Sequence, residues 1–149
     1  MANGFREIWI GEPIMRSTET YGGGHIFVVV ANPLGVTLED APRHRDERVW
    51  GTNHMSETEE SWQKFCHEVG LEEFFFQPTY GLISKVERCV LIVEDYVKTI
   101  SIALEKLRLS RHNPGFREGQ DPHLARLIWL DYWFRWALAN CRMPVIYNE

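Results

Sequence analysis

Two histidines in the first half of the chain are the side chains best suited by type to acid–base chemistry. His44 and His54 lie in one charged region, and Asp46 and Glu47 are near them in sequence. A histidine beside a carboxylate in a cleft can take up or release a proton near neutral pH. Such a pair would make the protein a small enzyme with an acid–base site in the 43–54 region. The alternative is that these residues form a solvated, charged loop.

The remaining chemical motifs are incomplete. Residues 22–24 are three glycines, but they precede a strand-like run, whereas phosphate-binding glycines follow a strand and open a helix. His67 and Glu68 begin the zinc pattern H-E-x-x-H, but Leu71 stands where the second histidine is required. No serine-nucleophile motif is present. We therefore predict no metal and no cofactor.

The segment 124–138 is the most unusual stretch of the chain, because it holds Trp129, Trp133 and Trp136, half of the six tryptophans. A helix that is apolar nearly all round is either enclosed in a core or presented to a partner. Burial in the core is the favoured interpretation. The alternative is a partner or homodimer interface, since tryptophan is enriched among the residues that dominate binding energy. The three tryptophans are therefore candidate partner-binding residues.

A second candidate surface is acidic. Glu57, Glu59 and Glu60 stand at the predicted start of a helix, and Glu72 and Glu73 stand near its far end. A negative patch of this kind can steer a protein onto the basic cleft of a partner. The alternative is that glutamate at a helix start only improves capping and the interaction with the helix dipole.

Composition indicates one globular domain spanning residues 1–149, with 44% apolar and 25% charged residues. The net charge of −5 makes nucleic acid or an anionic membrane improbable as the main partner and is compatible with a basic protein. Three widely spaced cysteines are typical of reduced thiols in a cytoplasmic protein. We see no secretory signal and no apolar run of the roughly 18 residues that span a membrane.

In the first half, the sequence predicts strands over residues 5–10 and 25–31. The second is a continuous β-branched run, which favours a central strand covered on both faces. Ser56 and Glu59 form a capping-box pattern that predicts a helix ending at Gly70. Residues 73–77 are interpreted as a strand or extended segment.

In the second half, an apolar stripe at helical spacing predicts one long helix over residues 81–109. Asp121 as N-cap and Pro122 at the first helical position predict the start of the tryptophan-rich helix. Residues 145–147 are a predicted short strand. The expected fold is α+β: a small antiparallel or mixed sheet from the N-terminal half, packed against three helices, the last two an antiparallel pair.

As a hypothesis, we favour a cytoplasmic protein-binding inhibitor that occludes its partner. An immunity protein neutralising a bacterial toxin, or a phage-type inhibitor of a defence complex, would have these properties. The small enzyme described above is the alternative. A self-associating structural or accessory subunit, with the last helix as the dimer seam, is the second alternative.

Overall fold

The computed structural model describes residues 5–19, 26–43, 51–78, 81–83, 89–111 and 121–149, and gives only the backbone for 15–19 and 26–31. The strands within these ranges are β1 (Phe5–Gly11), β2 (Pro13–Glu19), β3 (Ile26–Pro33), β4 (Thr37–Leu38), β5 (Gly51–Thr52), β6 (His54–Thr58), β7 (Cys89–Leu91) and β8 (Val145–Asn148). The helices are α1 (Glu59–Val69), α2 (Glu72–Phe76), α3 (Glu94–Ser110) and α4 (Pro122–Asn140).

The main sheet is antiparallel and four-stranded, in the order β6-β1-β8-β7. Strand β1 lies between its neighbours, with Ile8 opposite Met55 on β6 and Ile10 opposite Ile146 on β8. The prediction that the sheet comes from the N-terminal half was only partly right, because β7 and β8 belong to the second half. The sheet therefore joins the two ends of the described chain.

The prediction of a central strand over residues 25–31 was wrong in its placement. Strand β3 forms, but it pairs with β2 in a separate two-stranded sheet. Residues 13–19 were not recognised as a strand, since they carry little apolar alternation. An apolar run indicates that a strand exists, but it does not identify the neighbour with which that strand pairs.

Helix α1 begins two residues later than the capping-box pattern predicts. Thr58 is the N-cap, and its hydroxyl accepts a hydrogen bond from the backbone N–H of Ser61 at 3.1 Å. Ser56 instead lies in β6, opposite Glu7 of β1. Because β6 pairs with β1 as far as Thr58, the strand continues past Ser56, and the helix begins later than local capping rules indicate. Gly70 ends the helix in the left-handed conformation, as predicted.

Two other predicted elements have a different structure. Residues 72–76 form helix α2 rather than a strand, and they bury Phe75. Of the predicted helix over 81–109, residues 84–88 lie outside the described residues; among the described ones Cys89–Leu91 is strand β7, and the helix begins at Glu94. Strand β7 pairs with β8, and the backbone N–H of Ile92 donates to the carbonyl of Pro144 at 2.8 Å. At residues 89–91, pairing with β8 therefore determines the structure, although the spacing of apolar residues is helical.

Helices α3 and α4 form the antiparallel pair that the sequence predicts. Arg111 at the end of α3 pairs with Asp121 at the start of α4, whereas Ser101 earlier in α3 bonds Asp131 further along α4. The α+β class is confirmed, with four helices rather than three over the described residues. None of these helices combines the length and apolar character needed to cross a membrane.

The core lies between the inner face of the sheet and the helices. Ile8, Ile10 and Met55 on the strands are fully enclosed, as are Trp62 on α1 and Trp133 on α4. Aromatic side chains therefore fill much of the space beneath the sheet. The predicted N-cap at Asp121 is confirmed, since its carboxylate accepts from two backbone N–H groups at the start of α4.

Candidate functional site

Helix α4 divides its three tryptophans between the core and the surface. Trp129 and Trp133 are buried, and the indole N–H of Trp129 donates to the carbonyl of Thr52 at 2.8 Å. Trp136 is only partly buried. The interpretation as core residues is therefore confirmed for Trp129 and Trp133. Trp136 is the one tryptophan of α4 with surface left for a dimer interface.

Trp136 lines a groove of about 540 Å³ between α3, α4 and the chain that follows β4. We call it the α3–α4 groove. This volume is within the range of sites that take a small ligand or the anchoring side chains of a partner. Its lining residues are Asp40, Pro42, Leu104, Arg108, Ile128, Asp131, Tyr132, Arg135 and Trp136.

Helical spacing explains which residues line the groove. Ile128, Tyr132 and Trp136 are four apart, so they share one face of α4, and Leu104 and Arg108 do the same on α3. Only Trp136 among the lining residues was a predicted site residue. The spacing of residues 128, 132 and 136 was the available signal. Nothing local indicated that Asp40 and Pro42 would form the third wall.

The guanidinium of Arg135 is fixed in position by its neighbours. One oxygen of Asp131 accepts from Arg135 Nε at 3.1 Å and from the hydroxyl of Ser101 at 2.9 Å. Arg135 also donates to that same hydroxyl. The network joins α3 to α4 and compensates the charge of Arg135 at the groove.

Tyr132 links α4 to the opposite wall of the groove. Its hydroxyl donates to a carboxylate oxygen of Asp40 at 3.4 Å, and Asp40 itself is exposed. Burial, followed by the negative charge of Asp40, raises the pKa of Tyr132 above its ordinary value of 10.0. The hydroxyl therefore remains protonated at neutral pH and can act as a donor.

The acidic residues predicted as a patch are not all on the surface. Glu57 is buried beneath the sheet, where one carboxylate oxygen accepts from Arg126 at 2.7 and 3.2 Å. Its position in β6 explains this, because alternate residues of that strand face the core. Glu59 is partly exposed and paired with Arg6 at 2.7 Å. The expectation of an exposed Glu57 was therefore wrong.

The other three predicted acidic residues are exposed. Glu60 pairs with Lys64 one turn along α1 at 3.3 Å, and Glu72 contacts His67 at 2.8 Å. Glu73 is also exposed, in the first turn of α2. A role for these residues in binding stays a prediction.

The predicted histidine–carboxylate pair has a structural counterpart on β1 and β6. His54 Nε2 lies 2.6 Å from Glu7 Oε1, and the hydroxyl of Ser56 donates to Glu7 Oε2 at 2.6 Å. Trp9 stacks on the imidazole, with ring centroids 4.1 Å apart. We call these four residues the Glu7 cluster. His44 lies outside the described residues.

The arrangement of the Glu7 cluster restricts the chemistry open to it. The carboxylate is central and contacts both His54 and Ser56, whereas a serine nucleophile requires the histidine between serine and carboxylate. The hydrogen bond from Ser56, followed by the influence of His54, lowers the pKa of Glu7 against the opposing effect of burial. The cluster is therefore a histidine held by an ionised carboxylate rather than a nucleophilic triad.

Neither a metal-binding cluster nor a reactive thiol at Cys66 or Cys141 is found in the described part of the chain. No group of three or more histidine, cysteine, aspartate or glutamate side chains there could hold a metal ion. Burial raises the pKa of the Cys66 thiol, and burial together with Glu12 raises that of Cys141 to about 11. Both thiols stay protonated at neutral pH and are poor nucleophiles.

No protein-family model, no curated protein and no solved structure matches this chain. The structure offers two candidate sites, the α3–α4 groove and the Glu7 cluster.

Proposed function

We propose that this protein is a protein-binding inhibitor that occludes its partner, as a toxin-neutralising immunity protein or a phage-type inhibitor of a defence complex does. The observation that carries the proposal is the composition of the α3–α4 groove. Trp136, Tyr132 and Arg135 are the three residue types most enriched among interface hot spots, and they lie together in one concave surface.

The groove is also organised before any partner arrives. Arg135 is held by Asp131 and Ser101, and Tyr132 is bonded to Asp40. The walls formed by α3 and α4 are regular helices joined by side-chain hydrogen bonds. Side chains that are already fixed lose less conformational entropy when a partner binds, which favours affinity.

We further propose that this protein acts in the cytoplasm and that its partner is a protein with a basic surface. The net charge of −5 would increase the rate of encounter with such a partner, and it disfavours nucleic acid. The exposed residues Glu60, Glu72 and Glu73, with the partly exposed Glu59, would contribute to this long-range attraction. They act on the association rate rather than as anchors.

A pull-down from lysate of the native host tests the proposal, with Ile128→Arg as the disrupting variant. Ile128 lines the groove, whereas Ile102 is exposed on α3 and is not among the lining residues, so Ile102→Arg is the matched control. We expect wild type and Ile102→Arg to retain one stoichiometric protein through a salt wash and to inhibit its activity. Ile128→Arg should do neither. Equal capture by both variants would contradict the proposal.

A second candidate function is supported by the Glu7 cluster. A carboxylate that orients a histidine is a common arrangement in general acid–base catalysis, and the aromatic contact with Trp9 restrains the ring further. The site would be a small acid–base enzyme, with His54 as the proton-transfer group and Glu7 as the positioning residue.

Hydrolysis of p-nitrophenyl acetate and p-nitrophenyl phosphate by wild type, His54→Gln and Glu7→Gln tests this candidate. An enzyme should turn over one substrate above background, lose that activity with His54→Gln, and show a changed pH profile with Glu7→Gln. Identical background rates for all three proteins would leave this candidate without support.

A further inference from the structure

Arg108 and Trp136 lie far apart along the α3–α4 groove. Arg111 bonds Asp121, and Ser101 bonds Asp131. Because the helices are antiparallel, moving one residue towards the start of α3 corresponds to moving one residue towards the end of α4. By this register Arg108 lies beside residue 124. Trp136 is twelve residues further along α4, or about 18 Å at the rise of an α-helix. The end of the groove near Trp136 is therefore remote from Arg108, and the charged lining residues nearer to it, Asp131 and Arg135, pair with each other.

That other end combines a carboxylate with two aromatic rings. Asp40, Tyr132 and Trp136 all line the groove, and we call them the acidic–aromatic corner. Trp133 packs edge-on against Trp136 with ring centroids 5.1 Å apart, which restrains the outer ring. A tryptophan or tyrosine face attracts a cation through its quadrupole, and a neighbouring carboxylate adds direct charge attraction.

The contacts of the corner leave capacity for a ligand. The hydrogen bond from Tyr132 to Asp40 is long, at 3.4 Å, and it uses one of about four acceptor positions on the carboxylate. The nearby cation Arg135 is compensated by Asp131 and held to Ser101. The charge of Asp40 is therefore available to a cation that enters the groove.

We propose that the acidic–aromatic corner binds an arginine side chain of the partner protein. Arginine suits it better than lysine, because a planar guanidinium stacks on aromatic faces and can donate two parallel hydrogen bonds to one carboxylate. The inference rests on the proposed protein-binding function and specifies the anchor of its basic partner.

The test uses the full chain and two matched probes, N-acetyl-arginine methylamide and N-acetyl-citrulline methylamide, which differ in charge but hardly in shape. NMR titration follows the indole N–H resonance of Trp136, assigned by its loss in Trp136→Phe. We expect the arginine probe to shift this resonance and to bind at least about tenfold more tightly than the citrulline probe. No shift, or equal shifts with both probes, would overturn the inference.

Variants locate the effect. Asp40→Asn should abolish the preference for arginine, whereas Glu60→Gln, which removes an equal charge from an exposed site on α1, should preserve it. Tyr132→Phe keeps the aromatic ring and should retain most of the binding. An unchanged preference in Asp40→Asn would contradict the inference.

The outcome is separable from that of the proposed function. Partner capture that is lost in Ile128→Arg, together with no preference for arginine, would retain the inhibitor and reject its arginine anchor. Capture that is insensitive to Ile128→Arg would reject the groove as the interface, whichever probe it binds.

Discussion

The two faces of α4 have similar aromatic content but opposite surroundings. Trp129 and Trp133 are buried in the core, where Trp129 bonds the carbonyl of Thr52, whereas Ile128 and Trp136 line the open α3–α4 groove. Aromatic density alone therefore does not identify an interface. Position around the helix decides whether a tryptophan stabilises the fold or is available for recognition.

The ion pairs on the two faces differ in the same way. Arg126 and Glu57 are almost completely buried, while Arg135 and Asp131 remain in contact with solvent. A buried charge has lost its hydration and depends on its partner, whereas water screens an exposed pair. Breaking an arginine–carboxylate pair therefore costs much stability in the core, and it costs little on the exposed face.

The largest effect should come from removing a tryptophan on the sheet-facing side. Trp133→Ala leaves a cavity in the core and should lower the free energy of unfolding by about 3–5 kcal/mol. Trp136→Ala removes a partly exposed side chain and should cost only about 1–2 kcal/mol. Urea denaturation measures both values. Equal losses would contradict the division of α4 into a face buried in the core and a face that lines the groove.

Breaking the buried ion pair should have an effect of nearly the same size. Arg126→Met removes the guanidinium that bonds the buried carboxylate of Glu57 and should cost about 3–5 kcal/mol of unfolding free energy. Arg135→Met on the exposed face should cost less than about 1 kcal/mol. Adding Glu57→Gln to Arg126→Met should restore part of the loss. A similar cost for both arginine variants would remove the contrast between the two pairs.

Glu7 provides an intermediate case, since it is about one-third exposed. Its pKa is lower in the folded protein than its ordinary value of 4.5, so its ionised form stabilises the fold above that pH and loses this contribution as pH falls through the folded pKa. Glu7→Gln should therefore cost about 1 kcal/mol at pH 7 and progressively less in acid.

Denaturation curves of wild type and Glu7→Gln from pH 7 downward measure this difference. Ser56→Ala is the control, because it removes the main cause of the lowered pKa and should shift the loss of stability to higher pH. A difference between wild type and Glu7→Gln that stays constant with pH would contradict the assignment.

Local signals in the sequence were sufficient where an element is defined by its own residues. Asp121 and Pro122 identify the start of α4, and Gly70 identifies the end of α1, because caps depend on a few adjacent side chains. The β1 strand was predicted to within one residue.

Predictions from local sequence were wrong where contacts between residues distant in sequence determine the structure. Ser56 resembles an N-cap, but its pairing with Glu7 of β1 keeps it in a strand. Glu57 meets Arg126, which is 69 residues away, and His54 meets Glu7, which is 47 residues away. Because sheet register sets these contacts, a charged stretch that resembles a surface patch can contain a core residue.

The candidate groove was predictable only in part. The four-residue spacing from Ile128 to Trp136 places one wall on a common helix face, but the loop carrying Asp40 reaches that wall through the tertiary fold. The proposed anchoring surface is therefore the outer face of α4, where Trp136 lies, and Glu57 is excluded from it by burial.

The most direct test of the groove as the partner-binding surface is site-specific photocrosslinking. Benzoylphenylalanine is placed at residue 128 in the groove and, as a control, at the exposed position 102 on α3, and each protein is irradiated in native host lysate. We expect a single protein adduct from position 128 and none from position 102. An adduct from position 102 alone would show that the partner binds elsewhere and would contradict the assignment of the groove.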